Sequence, residues 1–129
     1  MTDPVVPVSW GELLDKIAIL EIKRLRLRAP QAVANAEREL PALNPCFTML
    51  VAAPAELAEL RAALAAVNLR LWEIEDQIRE KDAQGDFGEE FVALARSVYR
   101  ENDERGRIKR AVNTLLGSDL MEEKQYSAY

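Results

Sequence analysis

The chain contains no histidine and a single cysteine, Cys46, in 129 residues. Without imidazole there is no Ser-His-Asp triad, no Cys-His pair and no histidine-ligated metal. One thiol cannot form an internal disulfide, nor can it build a zinc or iron–sulfur site. Cys46 stands between Pro45 and Phe47, so it reads as a small buried hydrophobe rather than a reactive thiol. Glycine is sparse, and its five copies stand singly at 11, 85, 88, 106 and 117, which excludes a glycine-rich phosphate loop. No apolar run approaches the roughly 20 residues needed to span a bilayer, and Met1 to Trp10 lacks the basic and apolar segments of a signal peptide. The expected location is a bacterial-type cytoplasm, with no membrane association.

What is present is charge and apolar residues in helical order. Lys plus Arg number 17 against 22 Asp plus Glu, a net charge of -5, which argues against nucleic acid as a general partner. Apolar residues make up 49%, enough for one globular domain at this length. A single helical domain over 1–129 is expected, with an extended lead-in over 1–8 and a C-terminal tail over 118–129. Ser9 and Glu12 have capping-box spacing, and Leu13, Ile17 and Leu20 continue into an apolar face, predicting a helix to about Arg28, where Pro30 stops it. Pro30 then opens a shorter helix through Glu39, and Pro41 and Pro45 mark a loop. Residues 46–53 are apolar but carry no period.

The third helix is the strongest signal. Leu57, Leu60, Leu64, Val67, Leu71, Ile74 and Ile78 follow spacings of 3, 4, 3, 4, 3, 4. A second row, Ala58, Ala62, Ala65, Leu69 and Trp72, lies on a nearly opposed face. A helix that is apolar on two faces wants two partners, and alanines let a neighbour approach closely. Gly85 closes this helix, Asp86 and Glu89 repeat the capping-box spacing, and Gly117 ends a fourth helix carrying Phe91, Leu94, Val98, Ile108, Val112 and Leu115. The short linker predicts an antiparallel hairpin. The expected architecture is therefore all-α: four helices built on a long antiparallel hairpin with coiled-coil-like packing. Too short to cover both faces of its third helix, the chain is expected to form a homodimer through Ala58, Ala62, Ala65, Leu69, Trp72, Tyr126 and Tyr129, and an additional protein partner fits the same surface.

The fourth helix breaks its own stripe with Glu101 and Arg105, and Asn102 stands beside them. Polar groups on a core-facing row are costly unless paired. Asp15, Lys16, Glu21, Glu101, Asn102, Arg105 and Lys109 form the candidate polar site, read as an interhelical network, a solvated turn or a small ligand pocket. Glu73 and Asp76 could share a face with Glu101 and Glu104 and hold Mg²⁺, as in helical nucleotide pyrophosphatases, although charged helices produce such steps by chance. No catalytic residue and no cofactor is otherwise indicated. Two function classes follow. One is a non-enzymatic module acting through oligomerisation or protein interaction. The other is a small helical enzyme or binding protein for an anionic metabolite, chorismate-mutase-like, clamping it with Arg24, Arg28, Arg105 and Lys109 beside Glu101 or Asn102.

Several segments together form a pattern: Gly11-Glu12-Leu13-Leu14-Asp15-Lys16-Ile17, Leu71-Trp72-Glu73-Ile74-Glu75-Asp76, Leu94-Ala95-Arg96-Ser97-Val98-Tyr99, Asn102-Asp103-Glu104-Arg105, Ile108-Lys109-Arg110, Leu115-Leu116-Gly117-Ser118 and Glu122-Glu123-Lys124. This pattern resembles a small all-helical bacterial protein family of unknown function, over most of the chain apart from 29–55. The resemblance implies no catalytic residues, but it passes through the same polar positions.

Overall fold

A computed structural model describes residues 1–129. It is all-helical, with four α-helices and no strands: α1 (Trp10–Arg26), α2 (Pro30–Leu43), α3 (Glu56–Ala83) and α4 (Glu89–Leu116). Residues Asn44–Leu50, aperiodic in sequence, form a 3-10 helix. Pro41 does not end α2, which runs on to Leu43 before tightening into that 3-10 segment, so the expected loop is a change of helical pitch. In turn α1 stops at Arg26, two residues early, because Leu27 and Ala29 are extended ahead of Pro30.

The helix ends follow local chemistry. The N-terminus of α1 is capped by Ser9 Oγ, which accepts from Glu12 N–H at 3.1 Å. Both long helices end in a left-handed glycine, Gly85 at φ +67° and Gly117 at φ +68°. Each is followed by a 6→1 hydrogen bond, Asp86 N–H to Lys81 O and Ser118 N–H to Asn113 O, both 2.9 Å. The capping box expected at Asp86–Glu89 does not form. Asp86 Oδ1 instead accepts from Gly88 N–H at 3.2 Å, and α4 starts without a side-chain cap.

Leu57, Leu64, Val67 and Leu71 of the third-helix seam are buried, joined by Leu13, Leu14, Ile17 and Ala18 of α1 and Ile108 and Val112 of α4. Thus α1 packs on both α3 and α4, while α2 packs on α1 and the 3-10 helix folds Phe47 and Leu50 against the same cluster. Along the α3–α4 pair, Lys81 meets Glu90, Arg70 meets Glu101, and Leu60 shares a shallow cleft with Leu115.

One glycine is fixed by packing rather than by φ. A Cβ on Gly11 would stand 2.5 Å from the Lys109 carbonyl oxygen and 2.9 Å from Asn113 Oδ1. Backbone of α1 and backbone of α4 therefore touch, and a methyl group forces them apart. Gly106, also helical, has nothing nearer its Cβ position than Lys124 Nζ at 3.9 Å. Gly11→Ala is expected to lose about 2 kcal/mol of stability, the overlap outweighing the ~1 kcal/mol gained in helix propensity. Gly106→Ala should gain up to about 1 kcal/mol. Urea denaturation of the two variants checks both signs.

Candidate functional site

The close approach at Gly11 brings the first turns of α1 against the last third of α4, where the polar groups of the fold concentrate. The free N–H groups opening α1 are satisfied from α4 and the second residue beyond it: Asn113 Oδ1 accepts from Gly11 N–H at 2.6 Å and Ser118 Oγ from Trp10 N–H at 3.0 Å. One turn on, Asp15, 3% exposed, accepts from Asn68 Nδ2 of α3 at 2.8 Å. Its other oxygen faces two cations of α4, Lys109 Nζ and Arg105 Nε, each at 3.8 Å. Arg105 Nε is buried and makes no hydrogen bond, so its tie to Asp15 is a charge contact alone.

Lys109 is the hub. Only 4% exposed, it donates to Glu12 Oε2 at 2.8 Å and to Glu122 Oε2 at 2.9 Å. Glu12 has the sequence position of a capping-box partner for Ser9, but its carboxylate goes to Lys109 instead. Burial works against the Lys109 ammonium, yet the hydrogen bonds to Glu12 and Glu122 outweigh it and hold the pKa above the ordinary lysine value. The hydrogen bond from Lys109 likewise holds Glu122 below the ordinary carboxylate value, against desolvation.

Glu122 belongs to the tail, which turns back along α4. Glu123 pairs with Arg110 at 3.3 Å, Tyr129 Oη donates to Asp103 Oδ2 at 2.7 Å, and the Tyr129 ring meets Tyr99 edge-on with centroids 4.9 Å apart. A cleft of about 410 Å³ remains between tail and helix, lined by charged groups already paired with one another, among them Lys109, Arg110, Glu122 and Glu123.

Of the seven polar candidates, Asp15, Arg105 and Lys109 converge. The other four do not. Lys16 pairs with Glu39 of α2 at 2.6 Å, Glu101 pairs with Arg70 at 3.0 Å, Glu21 is exposed, and Asn102 borders a shallow hollow under the tail. Arg24 is exposed near the far end of α1 and Arg28 beyond it. Arg24 lies nine residues beyond Asp15, about 13 Å at the helical rise, so no four-cation clamp is assembled. The carboxylates Glu73, Asp76, Glu101 and Glu104 are not gathered either: no group of three or more acidic, cysteine or histidine residues is placed to hold a metal ion. Glu73 pairs with Arg26, Glu101 with Arg70, and Glu104 with Arg107.

Of the proposed interface row, Ala58, Ala62 and Ala65 are exposed and Leu69 and Trp72 half-buried. The three alanines wall a groove of about 340 Å³ whose opposite side is Leu14, Ile17 and Ala18 of α1. Tyr129 is engaged within the chain, whereas Tyr126 is exposed.

Four members of the polar centre escaped the sequence reading: Glu12, Asn68, Asn113 and Glu122. A signal for Asn113 did exist, since Asn102, Arg105, Lys109 and Asn113 recur at spacings of 3, 4 and 4 inside an apolar stripe. Glu122 had none, because nothing local says that a tail folds back.

A sequence model of a family described as of unknown function, DUF6165, covers residues 5–129. The chain belongs to that family. No curated protein and no solved structure matches it. In this DUF6165 member no helix is long and apolar enough to cross a membrane.

Lys109→Met keeps the length of the side chain but removes all three of its carboxylate contacts, leaving Asp15 buried with Arg105 and Asn68. A loss of about 3 kcal/mol in chemical denaturation is expected. The pH dependence follows from the two shifts. A lowered carboxylate pKa stabilises above the ordinary carboxylate range and loses that contribution as pH falls through the folded value. A raised lysine pKa stabilises below the ordinary lysine range and is lost as pH rises through its folded value. Between about pH 6 and 9 the contribution is therefore flat. Glu122→Gln should leave less to lose on acidification, and its stability profile should be shallower than the wild type's below about pH 5.

Proposed function

We propose that the protein is a non-enzymatic helical module that acts by self-association, as a homodimer, and through it presents a surface to other proteins. The polar centre is consumed internally: the charges of Lys109 and Asp15 are answered by groups of the same chain. A single observation carries the reading. The chain exposes 9104 Å², where a compact monomer of its mass exposes about 6,900 Å². Extended termini account for part of that excess of about 2,200 Å², and stable homodimers bury roughly 1,000–2,500 Å² per subunit. In this reading α3 and α4 form an antiparallel hairpin packed in coiled-coil fashion along the 3-4 seam, and the lone cysteine fits a bacterial cytoplasm. The alanine row of α3 and the half-buried apolar stripes farther along α3 and α4 are the two faces from which that contact can be made.

One observation favours a second reading, a binding site for an anionic metabolite. Arg105 Nε is buried without a hydrogen-bond acceptor, and a carboxylate or phosphate oxygen would supply one.

Size-exclusion chromatography with light scattering is expected to give twice the 14.5 kDa chain mass. A strict monomer at high concentration contradicts the proposal. A thermal-shift screen with dicarboxylates, phosphate, nucleotides and Mg²⁺ is expected to be flat. Stabilisation that disappears in Arg105→Lys would favour the second reading.

A further inference from the structure

Beyond the reach of α1 the structure changes character. The last ion pair between α1 and α3 is Arg26 to Glu73, at 3.5 Å. From Trp72 through Ala83 of α3, and from Glu89 through Arg107 of α4, no residue is buried. Yet the apolar stripes continue: Trp72, Ile74 and Ile78 on α3 and Phe91, Leu94 and Val98 on α4 are all half-buried, and Val92 is 52% exposed. In the body of the molecule α1 supplies the third side that closes the α3–α4 groove, with Leu13, Leu14 and Ile17. Along the outer part of the two long helices no third helix does, and only Tyr126 and Tyr129 of the tail come near, at Val98 and Tyr99. Two helices alone cannot enclose their own stripes, because each shields only one flank of the other.

This outer arm is preformed. Gly85 turns the chain in its left-handed conformation, Lys81 ties both Asp86 and Glu90 across the turn at 3.1 and 2.6 Å, and Phe87 meets Phe91 edge-on at 5.1 Å. An unclosed pair of helices therefore extends beyond the part of the molecule that α1 covers.

We infer that the arm over residues 72–100 is the dimer interface, and that its occupant is the arm of a second copy, the two pairs closing into one intermolecular four-helix bundle. This rests on the self-association reading above and locates it away from the alanine row. Two arms supply the four half-covered stripes that such a bundle encloses, and a twofold contact closes on itself without leaving a further unsatisfied face. The surplus of exposed surface, less the share of the extended termini, bounds what one subunit can contribute to such a contact.

Three measurements separate the possibilities. Leu94→Glu and Val98→Glu, each checked for native helical content by circular dichroism, are expected to run at 14.5 kDa where the wild type runs at twice that mass. Ala62→Glu, on the alanine row, should remain dimeric. Because the arm variants alter packing within the chain as well, hydrogen exchange on the unmutated protein provides a second readout. Raising the concentration about 100-fold, starting well above the dissociation constant, should slow exchange of amides in 72–100 by roughly tenfold, the square root of the concentration step for a dimer, and leave α1 unchanged. If Ala62→Glu dissociates the dimer and the arm amides are insensitive to concentration, the arm assignment falls and self-association stands. A wild type that is monomeric throughout overturns both.

Discussion

A buried lysine holds this molecule together. Lys109 sits on α4 where α1 crosses at backbone contact, and its ammonium is shared among Glu12 and Asp15 of α1 and Glu122 of the tail. A lone ammonium in that position would be prohibitively costly, so the placement of three acidic side chains is a condition of α1 docking there at all. Gly11 is required by the same geometry, since the distance that brings Glu12 and Asp15 within reach of Lys109 leaves no room for a Cβ. Asn113 and Ser118 then replace the solvent that the opening N–H groups of α1 have lost. Charge, close approach and capping are three aspects of one contact.

That contact divides the chain into regions of unequal solidity. Where α1 lies on α3 and α4, a core of Leu14, Ile17, Leu64, Val67 and Val112 is closed to solvent. Farther along the two long helices there is length without a third layer. The body accounts for the stability of the fold, so changes in the polar centre should act on folding, while on the proposal made above changes in the arm act on association. Tail and body are linked as well, because Glu122 answers the charge on Lys109 and loosening the tail weakens the docking of α1.

Much of this was readable from the residues, and the failures have physical causes. The 3-4 spacing from Leu57 to Ile78 located α3 because a helix of that length repeats its partner-facing row several times. Gly85 and Gly117 marked helix ends because only glycine adopts the left-handed turn cheaply. Arg105 and Lys109 drew attention as charges inside an apolar stripe. Their partners were hidden, since Asn68 and Glu122 come from segments whose approach is decided by tertiary packing. Glu12 misled for a related reason: its spacing from Ser9 announces a local cap, and a buried cation 97 residues along the chain takes its carboxylate instead. Pro41 misled too, as it removes one hydrogen bond without preventing the helix from tightening into a 3-10 segment.

The claim that two buried opposite charges fasten α1 to α4 is tested most directly by a double-mutant cycle on Asp15→Asn and Lys109→Met, read by chemical denaturation near neutral pH. The account predicts non-additivity of about 1–3 kcal/mol, the two changes together costing less than their sum. Strict additivity would mean that Asp15 and Lys109 are neighbours without being partners, and the docking of α1 would need another cause.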